Sequence, residues 1–189
     1  MGEVTVVVGI SGVGKSTVME EALLLSEVDP LVVNYGTRMV EICQDRNLVS
    51  HRDELQSLDA DTYVDVQMEA ARSIVEDAEI EDSVIVDTHA AIKNPDGYLP
   101  GLPKWTLENL EPDTIVILDA TAQEIHDRIE SDERDREVAS VEEIEEYRGV
   151  MREMASACAV MTGAHLKMIE NHDGCAGQAA EELVGVIDR

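Results

Sequence analysis

Near its N-terminus the chain reads Val4-Thr-Val-Val-Val-Gly9-Ile-Ser-Gly-Val-Gly-Lys-Ser-Thr17. Its first five residues form a β-branched apolar run, which is typical of a strand buried on both faces of a sheet. From Gly9 to Ser16 the chain matches the pattern G-x-x-x-x-G-K-[S/T], and a helical pattern follows. A strand, a glycine-rich turn and a helix in this order predict a phosphate-binding P-loop. The predicted nucleotide-binding residues are Gly9, Ile10, Ser11, Gly12, Val13, Gly14, Lys15, Ser16 and Thr17.

Two oxygen-bearing side chains predict a magnesium site beside this turn. In the P-loop pattern the lysine, here Lys15, contacts the β- and γ-phosphates of ATP, and the hydroxyl of Ser16 ligates Mg²⁺. Asp87 ends another apolar run, Val84-Ile-Val-Asp87-Thr-His89, where such proteins place an acidic residue near the ion. The predicted metal-binding residues are therefore Ser16 and Asp87. A helix or turn cap is the alternative role for Asp87.

Five apolar runs alternate with helical patterns along the chain and predict its fold class. Besides the first run, they are Leu31–Asn34, Ser83–Asp87, Thr114–Leu118 and His165–Ile169. This alternation predicts an α/β three-layer sandwich of the P-loop NTPase type, with a five-stranded parallel sheet and helices on both faces. No linker or repeat interrupts it, so residues 1–189 are expected to form one domain. Residues 90–104 form the longest stretch expected to be irregular.

The net negative charge of the chain limits the classes of partner that it is expected to bind. Forty-one acidic residues face 14 basic ones, for a formal net charge of −27, which disfavours nucleic acid and anionic membrane surfaces as partners. The acidic residues are spread along the chain, lysine is scarce and phenylalanine is absent, a composition that resembles proteins of halophilic archaea. No apolar run is long enough for a membrane helix, and no secretory signal is recognised, so a cytoplasmic location is expected.

Arginine positions predict the groups that stabilise a transferred phosphoryl. A short arginine-bearing turn between two helical stretches predicts a lid at about residues 128–140 that closes on polyphosphate. The predicted catalytic residues are Lys15, Arg128, Arg134, Arg136 and Arg152, with Arg148 one helical turn before Arg152. Simple pairing of Arg134 and Arg136 with neighbouring acids remains the alternative.

A second phosphate site is predicted where the second strand ends. Thr37 and Arg38 open a helix there, a placement that suits a phosphate group. Arg72 and His89 are further candidates for the acceptor site, although surface pairing for Arg72 and a structural role for His89 remain open. The acceptor-binding region is expected at about residues 34–79.

The chain resembles archaeal-type adenylate kinases from end to end. The resemblance rests on the P-loop, on Val33-Asn-Tyr-Gly-Thr37, Val86-Asp-Thr-His89, Gly97-Tyr-Leu-Pro-Gly-Leu-Pro103 and Met161-Thr-Gly-Ala164. It implies a nucleoside monophosphate kinase fold, the Mg²⁺-dependent reaction ATP + AMP ⇌ 2 ADP and a homo-oligomer, often a homotrimer. It also implies that Thr37 and Arg38 belong to the AMP side and that Arg128, Arg134, Arg136 and Arg152 belong to the lid. The G-F-P-R arginine of other adenylate kinases is missing, so the arginine that holds the AMP phosphate is left open.

Two other functions agree with the same residues. One is a kinase for another nucleoside monophosphate or a small alcohol. The other is a P-loop protein that binds ATP and regulates a partner without transferring phosphoryl groups. A GTPase is disfavoured because the base-recognition tetrapeptide N-K-x-D is missing from the sequence.

Overall fold

The computed structural model describes residues 2–131 and 139–189, except the side chains of residues 53 and 56. The strands are β1 Glu3–Val8, β2 Leu31–Asn34, β3 Ser83–Thr88, β4 Ala91–Asn94, β5 Gly97–Pro100, β6 Thr114–Asp119 and β7 His165–Glu170. The helices are α1 Lys15–Leu25, α2 Tyr35–Asp45, α3 Ala60–Ala78, α4 Lys104–Leu110, α5 Ala122–Ser131, α6 Val141–Thr162 and α7 Ala176–Ile187, with a 3-10 helix at Arg52–Ser57. In this part of the chain no helix is long and apolar enough to cross a membrane.

Five strands form one sheet in the order β2-β3-β1-β6-β7, and each pairing between neighbours is parallel. Side chains of β1, β3 and β6 are buried at nearly every position, although successive side chains of a strand point to opposite faces. Both faces of the sheet are therefore covered by helices, as a continuous apolar run predicts for a parallel strand. The predicted fold class and all five predicted strands are confirmed.

The register of the sheet aligns the strand ends that carry polar residues. Asn34 pairs with Asp87, Val8 pairs with Thr88, and Asp119 pairs with Glu170. The P-loop begins directly after Val8 and therefore lies at the same edge. Ligands bind at the carboxyl ends of strands in open parallel sheets, so this edge is where a site is expected.

Residues 90–104 differ from the expectation of an irregular loop. They form a two-stranded antiparallel hairpin, β4–β5, whose turn contains Gly97 at a φ of +129°. The sequence Asn94-Pro-Asp-Gly97 is a turn signal between two short strands, but the hairpin was missed because its strands are short and belong to a sheet of their own. A further short helix, α4, follows it.

Helix α2 begins two residues before the expected position. Its N-cap is Asn34, whose side-chain oxygen accepts from Thr37 N at 3.0 Å. Asparagine caps helices well because this bond satisfies a free amide of the first turn. Tyr35 is consequently the first helical residue, and Thr37 lies within the first turn.

Candidate active site at the carboxyl edge of the sheet

The phosphate cradle, which we define as residues 9–17, joins β1 to α1. Gly12 and Gly14 have φ values of +87° and +91°, in the left-handed region that residues with a Cβ rarely adopt. Lys15 is the first residue of α1, so the cradle ends at the positive N-terminal end of that helix. Successive amides in such a conformation form an anion-binding concavity, and the predicted cradle therefore has the conformation that a polyphosphate requires.

Lys15 connects the cradle to the end of β3. Its Nζ donates to Asp87 Oδ1 and to the carbonyl of Thr88, both at 2.7 Å. The Lys15 side chain is 11% exposed, and burial lowers its pKa, although the neighbouring Asp87 opposes that effect. Asp87 Oδ2 accepts from Asn34 Nδ2 at 2.9 Å. One carboxylate thus links the lysine of the cradle to the cap of α2.

The outer side of the cradle is held by residues that follow β6 and β7. The carbonyl of Val13 accepts from Asn171 Nδ2 at 2.9 Å and from Arg128 Nη1 at 3.2 Å. Arg128 also donates to the carbonyl of Asn171 at 2.8 Å and pairs with Asp173 at 2.6 Å. Asn171 is 5% exposed, and a Cβ on Gly14 would lie 2.5 Å from its Nδ2. Sequence reasoning proposed Arg128 but missed Asn171, because nothing in a lone asparagine after a strand indicates which loop it contacts.

Arg148 and Arg152 of α6 meet the end of β6. Arg148 contacts both oxygens of the buried Asp119, with Nε to Oδ1 at 2.8 Å and Nη2 to Oδ2 at 3.1 Å. Arg152 Nη1 lies 3.7 Å from Asp119 Oδ2, and both arginines also pair with Glu145. Arg134 and Arg136 lie outside the described residues, as does most of the expected lid.

A cavity of about 770 Å³ is lined by Asp87, the carboxylate that pairs with Lys15 of the cradle. It lies between the start of α2, the 3-10 helix, the first half of α3, the end of β3 and the β4–β5 hairpin. We call it the acceptor cavity. Another depression, of about 880 Å³, lies at the opposite edge of the sheet near Glu3, Asp113 and His165. We assign the candidate site to the acceptor cavity because it adjoins the cradle, where ligands of such sheets bind.

Arg52 and Lys93 bring positive charge to this cavity. A Cβ on Gly36 would lie 2.2 Å from Arg52 Nη2, so the guanidinium packs directly on the backbone at the start of α2. Lys93 comes from the hairpin, and its Nζ lies 3.6 Å from Glu143 Oε1. Neither residue was proposed from the sequence. Arg52 lies in a segment without hydrophobic periodicity, and Lys93 lies within residues 90–104, which the sequence predicts to be irregular.

Three of the four residues predicted for the acceptor site do not line the acceptor cavity. Arg38 donates to Ser73 Oγ and pairs with Asp77 at 2.8 Å, and Arg72 donates to Asn109 Oδ1 at 2.8 Å. Thr37 contacts the side chain of its own N-cap residue. Their assignment to the acceptor stays a prediction, and the geometry of this cavity favours Arg52.

His89 does line the cavity. Its Nδ1 lies 2.7 Å from the carbonyl of Gly9, and because a carbonyl only accepts, Nδ1 carries the proton. Burial lowers the pKa of His89, with a further contribution from Lys15. The neutral ring therefore holds the first residue of the cradle and presents Nε2 as an acceptor. Its contact with the acceptor substrate stays a prediction.

Two solved structures share this fold. Shikimate kinase from Acinetobacter baumannii superposes with a TM-score of 0.55 at 14% identity, over 98% of this chain and 93% of the other. Shikimate kinase from Bacteroides thetaiotaomicron gives 0.57 at 12% identity, over 97% of both chains. A family model described as an AAA domain matches residues 8–145. The fold, the cradle and this family model together define the class as P-loop proteins of the AAA domain family.

Curated relatives define the particular family. Adenylate kinase from Methanothermobacter thermautotrophicus is 44% identical over 98% of this chain and 100% of the relative. Adenylate kinase from Methanopyrus kandleri is 45% identical over 99% of this chain and 98% of the relative. The chain belongs to the adenylate kinase family.

Proposed function

We propose that this chain transfers the terminal phosphoryl group of ATP to AMP, forming two molecules of ADP. The observation that carries the proposal is the position of the acceptor cavity, which adjoins the cradle at Lys15 and Asp87. A donor phosphate in the cradle and an acceptor phosphate in the cavity would then approach each other beside Lys15. Family membership supports ATP and AMP as the two substrates.

The cradle residues bind the donor. Their amides and the N-terminal end of α1 stabilise the negative charge of the β- and γ-phosphates. Lys15 stabilises the additional charge that develops as the bond between the γ-phosphorus and the bridging oxygen breaks. An oxygen of the acceptor phosphate forms the new bond. That oxygen is already anionic at neutral pH, so the reaction requires positioning and charge stabilisation more than a strong base.

Magnesium fits the side chains at this edge. Ser16 and Asp87 would hold it, because hydroxyl and carboxylate oxygens are the ligands that Mg²⁺ prefers. The ion would supply further neutralisation of the phosphate charge.

The acceptor phosphate is bound by Arg52, with Lys93 as a second cation at the same cavity. A guanidinium suits this role because its forked donors match two phosphate oxygens. His89 contacts the first residue of the cradle and lines the same cavity. Thr37, Arg38 and Arg72 remain the alternative set that the sequence suggested.

Arginines near the cradle stabilise the transferred phosphoryl. Arg128 and Arg152 act with Arg134 and Arg136 of the lid, about residues 128–140, once ATP is bound. Replacing Arg134 or Arg136 with Ala should lower kcat more than it weakens AMP binding. An unchanged kcat would make both arginines ordinary surface charges.

An acceptor-dependence assay tests the function. Mg·ATP is incubated in molar KCl with AMP, CMP, UMP, GMP or shikimate, and ADP formation is measured by a coupled reaction. ADP should form with AMP and scarcely with the others. A preference for another acceptor would identify a different kinase. ATP hydrolysis that does not depend on any acceptor would contradict the proposed phosphoryl transfer.

The proposal also covers the assembly of the protein, its location in the cell and the dependence of its stability on salt. A cytoplasmic homotrimer agrees with the family resemblance, and sedimentation of the purified chain measures its assembly. The net charge of −27 agrees with a protein adapted to molar salt, because salt screens mutual repulsion among exposed acidic residues. The melting temperature should therefore fall on dialysis to low salt, and a salt-independent melting temperature would remove the halophilic interpretation.

A further inference from the structure

Gln67 is a buried polar residue of α3 that lines the acceptor cavity. Gln67 is only 4% exposed, and its side-chain Oε1 accepts a hydrogen bond from Trp105 Nε1 at 2.9 Å. An indole nitrogen can only donate, whereas a glutamine amide can turn by half a rotation and exchange its oxygen for its NH₂ group. Trp105 therefore determines which way the amide faces.

The backbone of Gln67 is held as firmly as its side chain. The hydroxyl of Tyr35 donates to the carbonyl of Gln67 at 2.7 Å and lies 3.2 Å from Thr106 Oγ1. Tyr35 and Thr106 are both buried, and burial raises the pKa of the Tyr35 hydroxyl, so it remains a donor. Helices α2, α3 and α4 thus meet at Gln67, and α4 carries both Thr106 and Trp105.

The NH₂ group of Gln67 has no acceptor within the part of the chain that the structure describes. The same cavity is lined by apolar side chains around α3, namely Met39, Leu55, Leu58 and Tyr63. Apolar walls with one fixed polar group are typical of a pocket for a flat heterocycle. The NH₂ group is therefore open to the cavity, and a ligand atom that accepts its hydrogen bond gains affinity and specificity there.

We propose that Gln67 recognises the hydrogen-bonding edge of the acceptor base and that Trp105, by preventing rotation of the amide, restricts that edge to the 6-aminopurine type. This inference rests on the proposed function of the cavity. Adenine presents a ring-nitrogen acceptor beside an amino donor, whereas hypoxanthine and guanine present a 6-oxo acceptor beside an N1–H donor. When the phosphate end fixes the base, these two edges require opposite orientations of one amide.

A freely rotating glutamine would adapt to either edge. With Trp105 present, rotation would turn the NH₂ group toward the indole N–H and leave two buried donors facing each other. Sites that leave a buried polar group unpaired reject the wrong substrate strongly. We therefore expect the preference for AMP over IMP, which differ only at this edge, to fall about 10- to 100-fold when the indole N–H is removed.

Trp105→Phe is the decisive variant, because it keeps an aromatic ring and removes the donor. Its kcat/KM for AMP should stay within about threefold of the wild-type value, while its kcat/KM for IMP rises. Gln67→Ala should raise KM for AMP about tenfold, with a smaller effect on kcat, and should abolish the preference. In the Gln67→Ala background, Trp105→Phe should have no further effect on the preference, which separates positioning of the amide from general packing.

Asn109→Ala provides the matched control. Asn109 lies on α4 and accepts from Arg72 of α3 on the exposed side of the same helix pair. Its loss removes the contact with Arg72 and also the hydrogen bond from Asn109 Nδ2 to the backbone carbonyl of Trp105 at 2.6 Å, but leaves the indole N–H in place. Asn109 does not line the cavity, so the AMP preference should be retained. If this variant loses the preference as Trp105→Phe does, loosening of α4 explains the effect and the inference is overturned.

Calorimetric titration of AMP and IMP into the wild-type chain keeps this inference separate from phosphoryl transfer. Tighter binding of AMP supports it even if no acceptor-dependent turnover is found, in which case the proposed function alone fails. Equal affinities for AMP and IMP overturn it even if turnover with AMP is rapid. The same titrations apply to the variants, and a variant that fails to fold leaves the wild-type comparison decisive.

Discussion

The phosphate cradle and the acceptor cavity meet at Asp87, but they are built in different ways. The cradle is one uninterrupted segment between β1 and α1, and its carbonyls are held from outside by His89, Asn171 and Arg128. The acceptor cavity is assembled from five elements spread between residues 34 and 101. A site made from one segment has a signature in the sequence, whereas a site assembled from many elements becomes visible only in the fold.

The two regions also differ in how their polar groups are satisfied. In the cradle, the side chains that surround the backbone already bond to it, so its shape is set before a ligand arrives. In the cavity, the NH₂ group of Gln67 has no acceptor among the described residues. We expect substitutions in the cradle to affect the chemical step and substitutions in the cavity to affect the choice and affinity of the acceptor.

The largest effect is expected from Lys15→Ala. Loss of the ammonium group removes a charge that stabilises the transferred phosphoryl, and kcat should fall by about 10³. The circular dichroism spectrum should be unchanged. Lys167→Ala, which removes an exposed lysine paired with Glu182 at 2.6 Å, should leave kcat as it is. If Lys15→Ala retained its activity, the cradle would have no role in phosphoryl transfer. The functional distinction between the cradle and the acceptor cavity would then be wrong.

Arg52→Ala should have the next largest effect, on the acceptor side. Loss of a charge-assisted bidentate contact should raise KM for AMP about 10- to 100-fold, with a smaller change in KM for ATP. Gly36→Ala should act in the same direction, because its Cβ would displace the Arg52 guanidinium. Steady-state kinetics at saturating ATP measures both.

Arg38→Ala decides between the two sets of acceptor residues. If Arg38 instead of Arg52 governs KM for AMP, the acceptor phosphate lies outside the cavity described here and the sequence-based assignment is right. Arg46→Ala, which removes an exposed arginine paired with Glu69, controls for the general loss of positive charge from this acidic chain.

These differences explain how far the sequence could be interpreted. The five strands of the main sheet were predicted because burial on both faces makes each one a continuous apolar run. The β4–β5 hairpin was missed because its four-residue strands are partly exposed and lack such a run. Arg52 and Gln67 were missed because their roles depend on Gly36 and Trp105, which are distant in sequence and become neighbours only when α2, α3 and α4 pack together.

A moderate effect is expected from Asn171→Ala. The variant removes a buried donor to the Val13 carbonyl, which costs about 1–3 kcal/mol. The melting temperature should fall by about 3–10 °C, and KM for ATP should rise several-fold because the cradle is held less firmly. KM for AMP should change less, which sharpens the distinction between the two regions. Gln123→Ala, which removes an exposed hydrogen bond to Asp127, should change none of these values.

The smallest effect concerns Glu124, which holds the loop that carries Asn171. Its carboxylate accepts from Thr121 Oγ1 at 2.6 Å, from Asp173 N at 3.0 Å and from His172 at 3.1 Å. These hydrogen bonds, that from Thr121 first, lower the pKa of Glu124 to about 2. This value lies below the ordinary glutamate pKa of about 4.3. The ionised Glu124 therefore stabilises the folded state fully above about pH 4.3, and this stabilisation is lost as the pH falls toward 2.

Glu124→Gln should therefore lower the melting temperature by about 2–4 °C at pH 6, and this difference from the wild type should shrink as the pH falls below about 4. Glu130→Gln, an exposed change on the same helix, should show no such convergence. A difference that stays constant across this pH range would mean that packing, and not the charge of Glu124, holds the loop behind the cradle. The cradle would then depend on neutral contacts alone, and its firmness would be insensitive to pH.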